Sequence, residues 1–204
     1  MTCLILTITL VGCYSQKELA NPNPTSYIFE ASIEQVKSAL KKANETYKIK
    51  GLLYFNDRDD YYYGGYVFKE LKNVNDAILS SISSIDSKIY YKRGKPLRYS
   101  ANFHIHLDSI SENKTKVEIF TLNPEIVLGV IMYGGMGHGY PRVKEVLPST
   151  IEEYEILLAI GEQLGEIGMP ECYYPPEWLQ YKAKQQEQIR QQKEEWEKIK
   201  KQNN

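Results

Sequence analysis

Two histidines separated by one residue, His104 and His106, have the type and spacing that could bind a metal ion. They lie in segment 98–108, where apolar and polar residues alternate, so the segment predicts a strand with one buried face. Both imidazoles then point to the polar face, roughly 7 Å apart at about 3.3 Å per residue. Such a pair can bind zinc or iron when further ligands are held beside it.

Few other residues could complete such a metal centre. Asp108 continues the same polar face, and His138 is the only other histidine in the sequence. The apolar residues of the alternating segment take the core face, so we expect His104 and His106 to be solvent-facing imidazoles. We predict no metal site and no cofactor. The alternative is a metal-dependent enzyme that uses His104 and His106.

Patterns typical of other chemistry are incomplete. The glycine-rich run 134–141 lacks the Gly-Lys-Ser/Thr of a phosphate-binding loop, so it predicts a surface loop. The acidic turn 56–60 fits a calcium loop at its first and third positions only. The sequence contains no Gly-x-Ser-x-Gly, and Cys172 has no histidine near it in sequence. We therefore predict no catalytic residues.

Composition sets the broad class of the protein. The 204 residues are 42% hydrophobic and 25% charged, which suits one globular domain with appendages. The net charge of -1 provides no general attraction for nucleic acid, so we expect no nucleic-acid partner. Of the three cysteines, Cys3 and Cys13 lie near the start, and Cys172 alone cannot form an intramolecular disulfide framework.

The chain begins with a short apolar stretch. Residues 3–11 are apolar apart from two threonines, which fits the hydrophobic region of a signal peptide. The stretch is shorter than the roughly 20 residues that span a bilayer. It ends in Leu10-Val11-Gly12-Cys13, and the preceding Met1-Thr2 departs from the usual signal pattern because it has no Lys or Arg.

The motif Leu10-Val11-Gly12-Cys13 resembles a bacterial lipobox, in which aliphatic and small residues precede a cysteine. The resemblance implies a bacterial lipoprotein that is cleaved before Cys13 and carries acyl chains, such as palmitate, on that cysteine. Several acyl chains give a durable membrane anchor at about 0.8 kcal/mol per buried CH₂. Because Tyr14 stands where Asp favours inner-membrane retention, the resemblance implies the cell envelope, and the outer membrane in a Gram-negative organism.

Composition then divides the chain into four segments. Residues 1–12 form the predicted signal peptide, and residues 13–25 form a lipidated tether that is polar and contains Asn-Pro twice. Residues 26–168 form the predicted α+β domain. Residues 169–204 form a proline-bounded linker followed by a charged helical tail.

Hydrophobic periodicity predicts the elements of the domain. A capping box at Ser32 and Gln35 begins the first helix, a second helix runs from Asn73 to Ile85, and a third runs from Ser149 or Thr150 to about Gly168. The predicted strands are Tyr27–Glu30, Ile49–Phe55, Tyr61–Phe68, Lys88–Tyr91, the hairpin Arg98–Leu122, and Glu125–Tyr133.

These elements predict an α+β fold. We expect an antiparallel sheet of about six strands with helices packed on one face, plus a solvated C-terminal helix. The order is compatible with a START-like helix-grip fold and with a ferredoxin-like βαββαβ unit. Neither fold determines a function. The lipobox resemblance implies a membrane-anchored bacterial envelope lipoprotein, and we expect it to act by binding a protein or a small-molecule ligand. The alternative is a metal-dependent envelope enzyme that uses His104 and His106.

Overall fold

The computed structural model of the chain describes residues 14–19, 21–46, 52–55, 61–63, 66–68, 76–80, 85–132 and 139–202. Several predictions lie outside these residues. They concern the leader with Cys13, the acidic turn 56–60, the start of the second helix at Asn73, and the glycine run from 134 to His138.

The described residues form ten strands and three helices. The strands are β1 Ser15–Gln16, β2 Ser26–Phe29, β3 Leu52–Phe55, β4 Tyr61–Tyr63, β5 Tyr66–Phe68, β6 Asp76–Ser80, β7 Ile85–Lys92, β8 Lys95–Ser111, β9 Lys114–Met132 and β10 Gly139–Glu145. The helices are α1 Ile33–Glu45, α2 Ile151–Leu164 and α3 Pro176–Gln202. This combination of helices and antiparallel sheet confirms the predicted α+β class.

The long hairpin of β8 and β9 is the centre of the main sheet. The outer edge of β8 pairs with β7 near its start and with β6 further along, while β9 pairs with β2 and then with β10. Short strands β1 and β3 extend the sheet beyond β7 and β6, and β4 and β5 form a separate hairpin. All of these pairings are antiparallel, so each strand starts at the end of the sheet where its neighbour finishes.

Strict alternation in β8 gives the sheet its core face. Phe103, Ile105 and Leu107 are all buried, as predicted. Val36 and Leu40 of α1 and several residues of α2 complete the same hydrophobic core. Burial of such side chains contributes roughly 1.5–3 kcal/mol each, which makes this face the main source of stability.

The first helix begins as its sequence predicts. Ser32 accepts a hydrogen bond from the backbone N–H of Gln35, and the Gln35 side chain accepts one from the backbone N–H of Ser32. This reciprocal capping box satisfies two backbone donors that a helix start otherwise leaves unpaired.

The prediction of a second helix from Asn73 to Ile85 is wrong for the residues of this range that the structure describes. Residues 76–80 form β6 and residues from Ile85 onward form β7, although the spacing of apolar residues there also suits a helix. Pairing of β6 with the central strand β8 outweighs the helical periodicity, because apolar residues at alternate positions can also reach the core. The element order therefore departs from the ferredoxin-like alternative.

Two further boundaries differ from the predictions. The predicted hairpin ends at Leu122, but β9 continues past it through a bulge at which Asn123 adopts a φ of 49°. Helix α2 ends at Leu164, before the predicted end at about Gly168, because Gly165 has a φ of 74°, and Ile167 beyond it is 94% exposed. Glycine adopts this left-handed conformation at little cost, which explains the early stop.

The apolar run of β9 is only partly buried. Ile126 of the strand predicted over Glu125–Tyr133 lies in the core, but Val130 is 61% exposed. Beyond Val127, the described part of β9 forms a two-stranded ribbon with β10, whose residues 140–145 are all exposed.

The segment before β2 contacts the body of the protein. Tyr14 packs on Tyr90 with ring centroids 5.9 Å apart, and β1 pairs with β7. Asn23 is 7% exposed and its side chain exchanges two hydrogen bonds with the backbone of Tyr173, while its own N–H donates to Thr150 Oγ1. One asparagine thus links the chain before β2, the start of α2 and the segment before α3.

We predict that Asn23→Ala lowers the free energy of unfolding by about 1–3 kcal/mol, because it leaves buried backbone groups of Tyr173 without partners. Asn21→Ala is the matched control, since Asn21 also precedes a proline but is exposed. Thermal or urea unfolding measures both variants. Equal stability of the two variants would contradict this role of Asn23.

Candidate functional site

The core contains one buried ion cluster. Lys88 of β7 has a side chain that is 6% exposed, and its Nζ lies 2.9 Å from Glu152 Oε1 and 2.9 Å from Glu155 Oε2 of α2. The same Nζ lies 6.0 Å from the ring centroid of Trp178 in α3. Because a buried ammonium is costly unless it is paired, the cluster fixes the positions of β7 and α2.

The charge state of Lys88 limits what it can do. Burial alone lowers the pKa of Lys88, but the neighbouring carboxylates of Glu152 and Glu155 outweigh it and raise the pKa. The amine therefore stays protonated at neutral pH and has no lone pair for attack on a carbonyl group. This excludes Lys88 as a nucleophile of the Schiff-base type.

A second buried carboxyl lies beside the cluster. Glu153 is 2% exposed and accepts a hydrogen bond from Thr121 Oγ1 on β9. Its Oε2 and the buried hydroxyl of Tyr99 have no hydrogen-bond partner among the described residues. Burial is the main cause that raises the pKa of both groups. Glu153 is thus a carboxyl whose protonated form the fold favours.

The start of α2, predicted at Ser149 or Thr150, has no capping box. Thr150 is the N-cap with a φ of 64° and makes no side-chain cap hydrogen bond. Ser149 Oγ accepts a hydrogen bond from the N–H of Ile151 and donates one to Glu152. The side chain of Glu152 turns towards Lys88 instead of capping the backbone, because pairing the buried ammonium is worth more than one cap.

The predicted pair of histidines shares one face of β8, with ring centroids 6.5 Å apart. Their exposure was predicted wrongly, since their side chains are only 20% and 31% exposed for His104 and His106. Asp76, opposite His106 in the register of β6 and β8, is buried. Its Oδ1 lies 2.6 Å from His106 Nδ1 and its Oδ2 lies 3.4 Å from His104 Nε2.

Asp76 is hydrogen-bonded to His106 only, because His104 Nε2 is buried without a hydrogen-bond partner among the described residues. Asp108, the third residue predicted on this face, is exposed. Within the described part of the chain, no group of three or more His, Cys, Asp or Glu residues is arranged to hold a metal ion. His106 gives the buried carboxylate of Asp76 a hydrogen-bond partner that it needs.

The thiol of Cys172 is half-buried beside the start of α3. Burial is the main cause that raises its pKa to about 11, so little thiolate is present at neutral pH. Because the thiolate is the nucleophilic form, this cysteine is poorly suited to covalent catalysis. Its surroundings are those of a packing residue, and it contacts the hydrophobic core.

A groove of about 720 Å³ runs between α3, β1 and the turn from β7 to β8, and we call it the α3 groove. Its polar lining includes Lys17, Lys95, Lys184 and Glu177, and Lys17 Nζ lies 2.8 Å from Glu177 Oε1. One acid among three lysines leaves the lining cationic. The site can therefore receive a polar ligand that carries negative charge.

Two tyrosines form the less polar part of the α3 groove. Tyr91 donates a hydrogen bond to the carbonyl of Lys88, and Tyr181 donates one to Asp86 Oδ2. Burial is the main cause that raises the pKa of Tyr91 to about 12, so its hydroxyl remains a donor at neutral pH. Rings that are held in this way offer a preformed surface for a ligand.

Sequence reasoning missed Lys88, Glu152 and Asp76. Two signals for the ion cluster were available in the sequence. They are a single lysine before apolar residues in a predicted strand, and a pair of acids at the start of an apolar helix. Asp76 carried no such signal, because its partners lie on a strand whose register the sequence does not give. The candidate lipidation site, Cys13, lies outside the described residues.

Comparisons of the chain with protein-family models, with curated proteins and with solved structures gave no match. Among the described residues, no helix has the length and apolar character needed to cross a membrane.

We predict that Glu153→Gln reduces the dependence of stability on pH. Because the pKa of Glu153 is raised above 4.5 in the folded protein, the folded state binds its proton more tightly than the unfolded chain. Stability contributed by this group is therefore lost as pH rises from about 4.5 through the raised pKa. The variant should gain on the order of 1 kcal/mol relative to wild type at neutral pH.

Thermal melting between about pH 4.5 and pH 8 measures this difference. Glu171→Gln is the control, because Glu171 is an exposed acid. A Glu153→Gln variant whose melting temperature follows the same pH curve as the wild type would show that Glu153 is not the titrating group.

We also predict that Asp76 and His106 are energetically coupled. His106→Ala leaves the buried Asp76 carboxylate short of a partner, so a double-mutant cycle of His106→Ala and Asp76→Ala should give a coupling of about 1–3 kcal/mol. Asp108→Ala, on the exposed part of the same strand, should change stability by less than about 0.5 kcal/mol. Urea unfolding of the four proteins of the cycle and of the control gives these values.

The structural role of His106 as the partner of Asp76 would be contradicted if zinc and a chelator changed the melting temperature of the wild type but not that of His106→Ala. This result would instead support the metal-dependent alternative.

Proposed function

We propose that this protein is a bacterial envelope lipoprotein that is anchored through lipid on Cys13 and acts by binding. The observation that carries the proposal is the motif Leu10-Val11-Gly12-Cys13, which directly precedes Tyr14. Tyr14, the first described residue, packs on the body, where its ring contacts Tyr90. A cleavage before Cys13 would therefore remove the apolar leader and leave the described fold intact.

Binding suits the described side chains better than covalent catalysis does. The amine of Lys88 is held protonated and the thiol of Cys172 is held protonated, so neither is an activated nucleophile. The α3 groove, in contrast, offers fixed tyrosine rings and a cationic lining. Its proposed ligand is a small polar molecule with negative charge, which Lys95 and Lys184 would attract.

We predict that labelled palmitate enters the full chain at Cys13 when it is expressed in a bacterium. Cys13→Ser should lose essentially all of the label, because the serine hydroxyl does not replace the thiol in forming the lipid thioether. The mature wild-type chain should begin at residue 13. Protein gels with radiolabelled or alkyne-labelled palmitate, together with mass spectrometry of the N-terminal peptide, measure both outcomes.

Cys3→Ser and Cys172→Ser are the matched controls for this experiment. Cys3 lies in the leader and Cys172 in the body, so each tests whether another thiol carries the label. Both control variants should be labelled like the wild type. Undiminished labelling of Cys13→Ser would refute the lipid anchor.

A further inference from the structure

Antiparallel pairing places several exposed segments at one end of the sheet. Ser15 of β1 lies opposite Tyr91 of β7, so the chain traced back to Tyr14 runs towards the turn between β7 and β8. Strand β8 starts at that end, and β9 therefore finishes there. Met132 of β9 and Gly139 of β10 are paired and lie at the same end, which we call the anchor end because Tyr14 directly follows Cys13.

Side-chain contacts join these segments into one surface. Lys144 of β10 places its Nζ 4.9 Å from the ring centroid of Tyr14. Lys92 donates a hydrogen bond to the carbonyl of Leu128 at 3.3 Å, which ties the turn between β7 and β8 to the ribbon. The start of the described chain, the turn and the ribbon are thus neighbours in space as well as in topology.

The anchor end is cationic. The segments 92–95, 128–132 and 139–144 contain five cations and no Asp or Glu. These cations are Lys92, Arg93, Lys95, Arg142 and Lys144. The nearest acids in the ribbon, Glu125 and Glu145, are paired in register at its base.

The opposite end of the sheet has the reverse balance of charge. Around the turn between β8 and β9, Glu30 lies 2.6 Å from Lys114, and Lys116 lies 2.8 Å from Glu118. Asp108 and Glu112 are also at this end and are exposed. The acids outnumber the lysines there, so the two ends of the sheet differ in the sign of their charge although the whole chain has a net charge of -1.

Exposed apolar side chains accompany the cations. Val130 is 61% exposed, Tyr140 is 64% exposed and Val143 is 46% exposed, all on the ribbon. Cations mixed with aliphatic and tyrosine side chains suit the boundary between phospholipid headgroups and acyl chains, where each group meets its preferred surroundings. An anionic membrane surface attracts clustered Lys and Arg residues, and this attraction falls off within about one Debye length of the surface.

We propose that the anchor end is a membrane-binding face that docks on anionic phospholipids, with Val130, Tyr140 and Val143 of the ribbon entering the headgroup layer. The proposal rests on the lipid anchor proposed above, since lipid on Cys13 would hold this end against the bilayer. Charge complementarity selects an anionic bilayer as the occupant. The body would then stand on the membrane in one orientation, with the turn between β8 and β9 facing away.

The test places an environment-sensitive NBD fluorophore on single cysteines of the lipidated full chain, in a Cys172→Ser background. Val130→Cys reports on the ribbon, and Glu112→Cys reports on the opposite end. The protein is reconstituted in vesicles of phosphatidylcholine with or without phosphatidylglycerol. We expect the emission at position 130 to rise at least about two-fold and to shift to the blue on anionic vesicles, while position 112 is unchanged.

Charge variants test the cause of the response. Arg93→Glu, Lys95→Glu and Arg142→Glu together should return the emission at position 130 to its value on neutral vesicles. The same change of charge in α3, by Lys193→Glu, Lys198→Glu and Lys200→Glu, should leave the emission high. Added salt should weaken the response of the unmodified protein because it screens the exposed charges.

Palmitate labelling on the same preparations separates the two proposals. An unlabelled Cys13 overturns the lipid anchor and the face that rests on it. A labelled, vesicle-bound protein whose probe at position 130 does not respond, or responds no more than position 112, overturns the membrane face alone. A response that depends on protein concentration without vesicles would also overturn it, because a second copy of the chain would then occupy the face.

Discussion

The ion cluster of Lys88, Glu152 and Glu155 is the constraint on which the packing of this protein depends. It joins β7 to the first turns of α2, and Trp178 brings the start of α3 to the same ammonium. A buried charge that loses its partner costs several kcal/mol of stability. Helix α2 therefore cannot slide or rotate against the sheet without leaving a buried charge unpaired. The inward direction of the Glu152 side chain at the start of α2 follows from this requirement.

The elements with a strong repeating pattern were predictable from sequence, and those that depend on partners were not. Helix α1 with its capping box and the alternating strand β8 follow local rules that the structure obeys. Segment 76–80 satisfies the apolar spacing of a helix, yet it forms β6 because the edge of β8 offers backbone hydrogen bonds and a core face at once. The spacing of apolar residues carries no information about that edge, so the prediction from periodicity alone was a helix instead of a strand.

The same limit applies to the polar groups of the candidate site. The spacing of His104 and His106 correctly predicted that their rings share a face, because the period of a strand is local. It could not predict Asp76 between them, since that contact depends on the register of β6 against β8. The imidazoles were therefore assigned to solvent, although both are only partly exposed and His106 is hydrogen-bonded to the buried carboxylate of Asp76. The hydrogen-bond partners of polar residues in a sheet lie on the neighbouring strand, so they can be assigned only when the register of the two strands is known.

The segment from Tyr14 to Thr25 connects the fold to the proposed anchor in a way that composition did not suggest. Polar residues and two Asn-Pro steps are typical of a spacer, but Tyr14 packs on Tyr90, β1 pairs with β7 and Asn23 is held by Tyr173 and Thr150. Each contact removes freedom between the first described residue and the sheet. A lipid on Cys13 would then act on a residue adjacent to a structured strand, so membrane attachment would constrain the orientation of the body as well as its location. The position of the α3 groove beside β1 would place its ligand close to the bilayer surface.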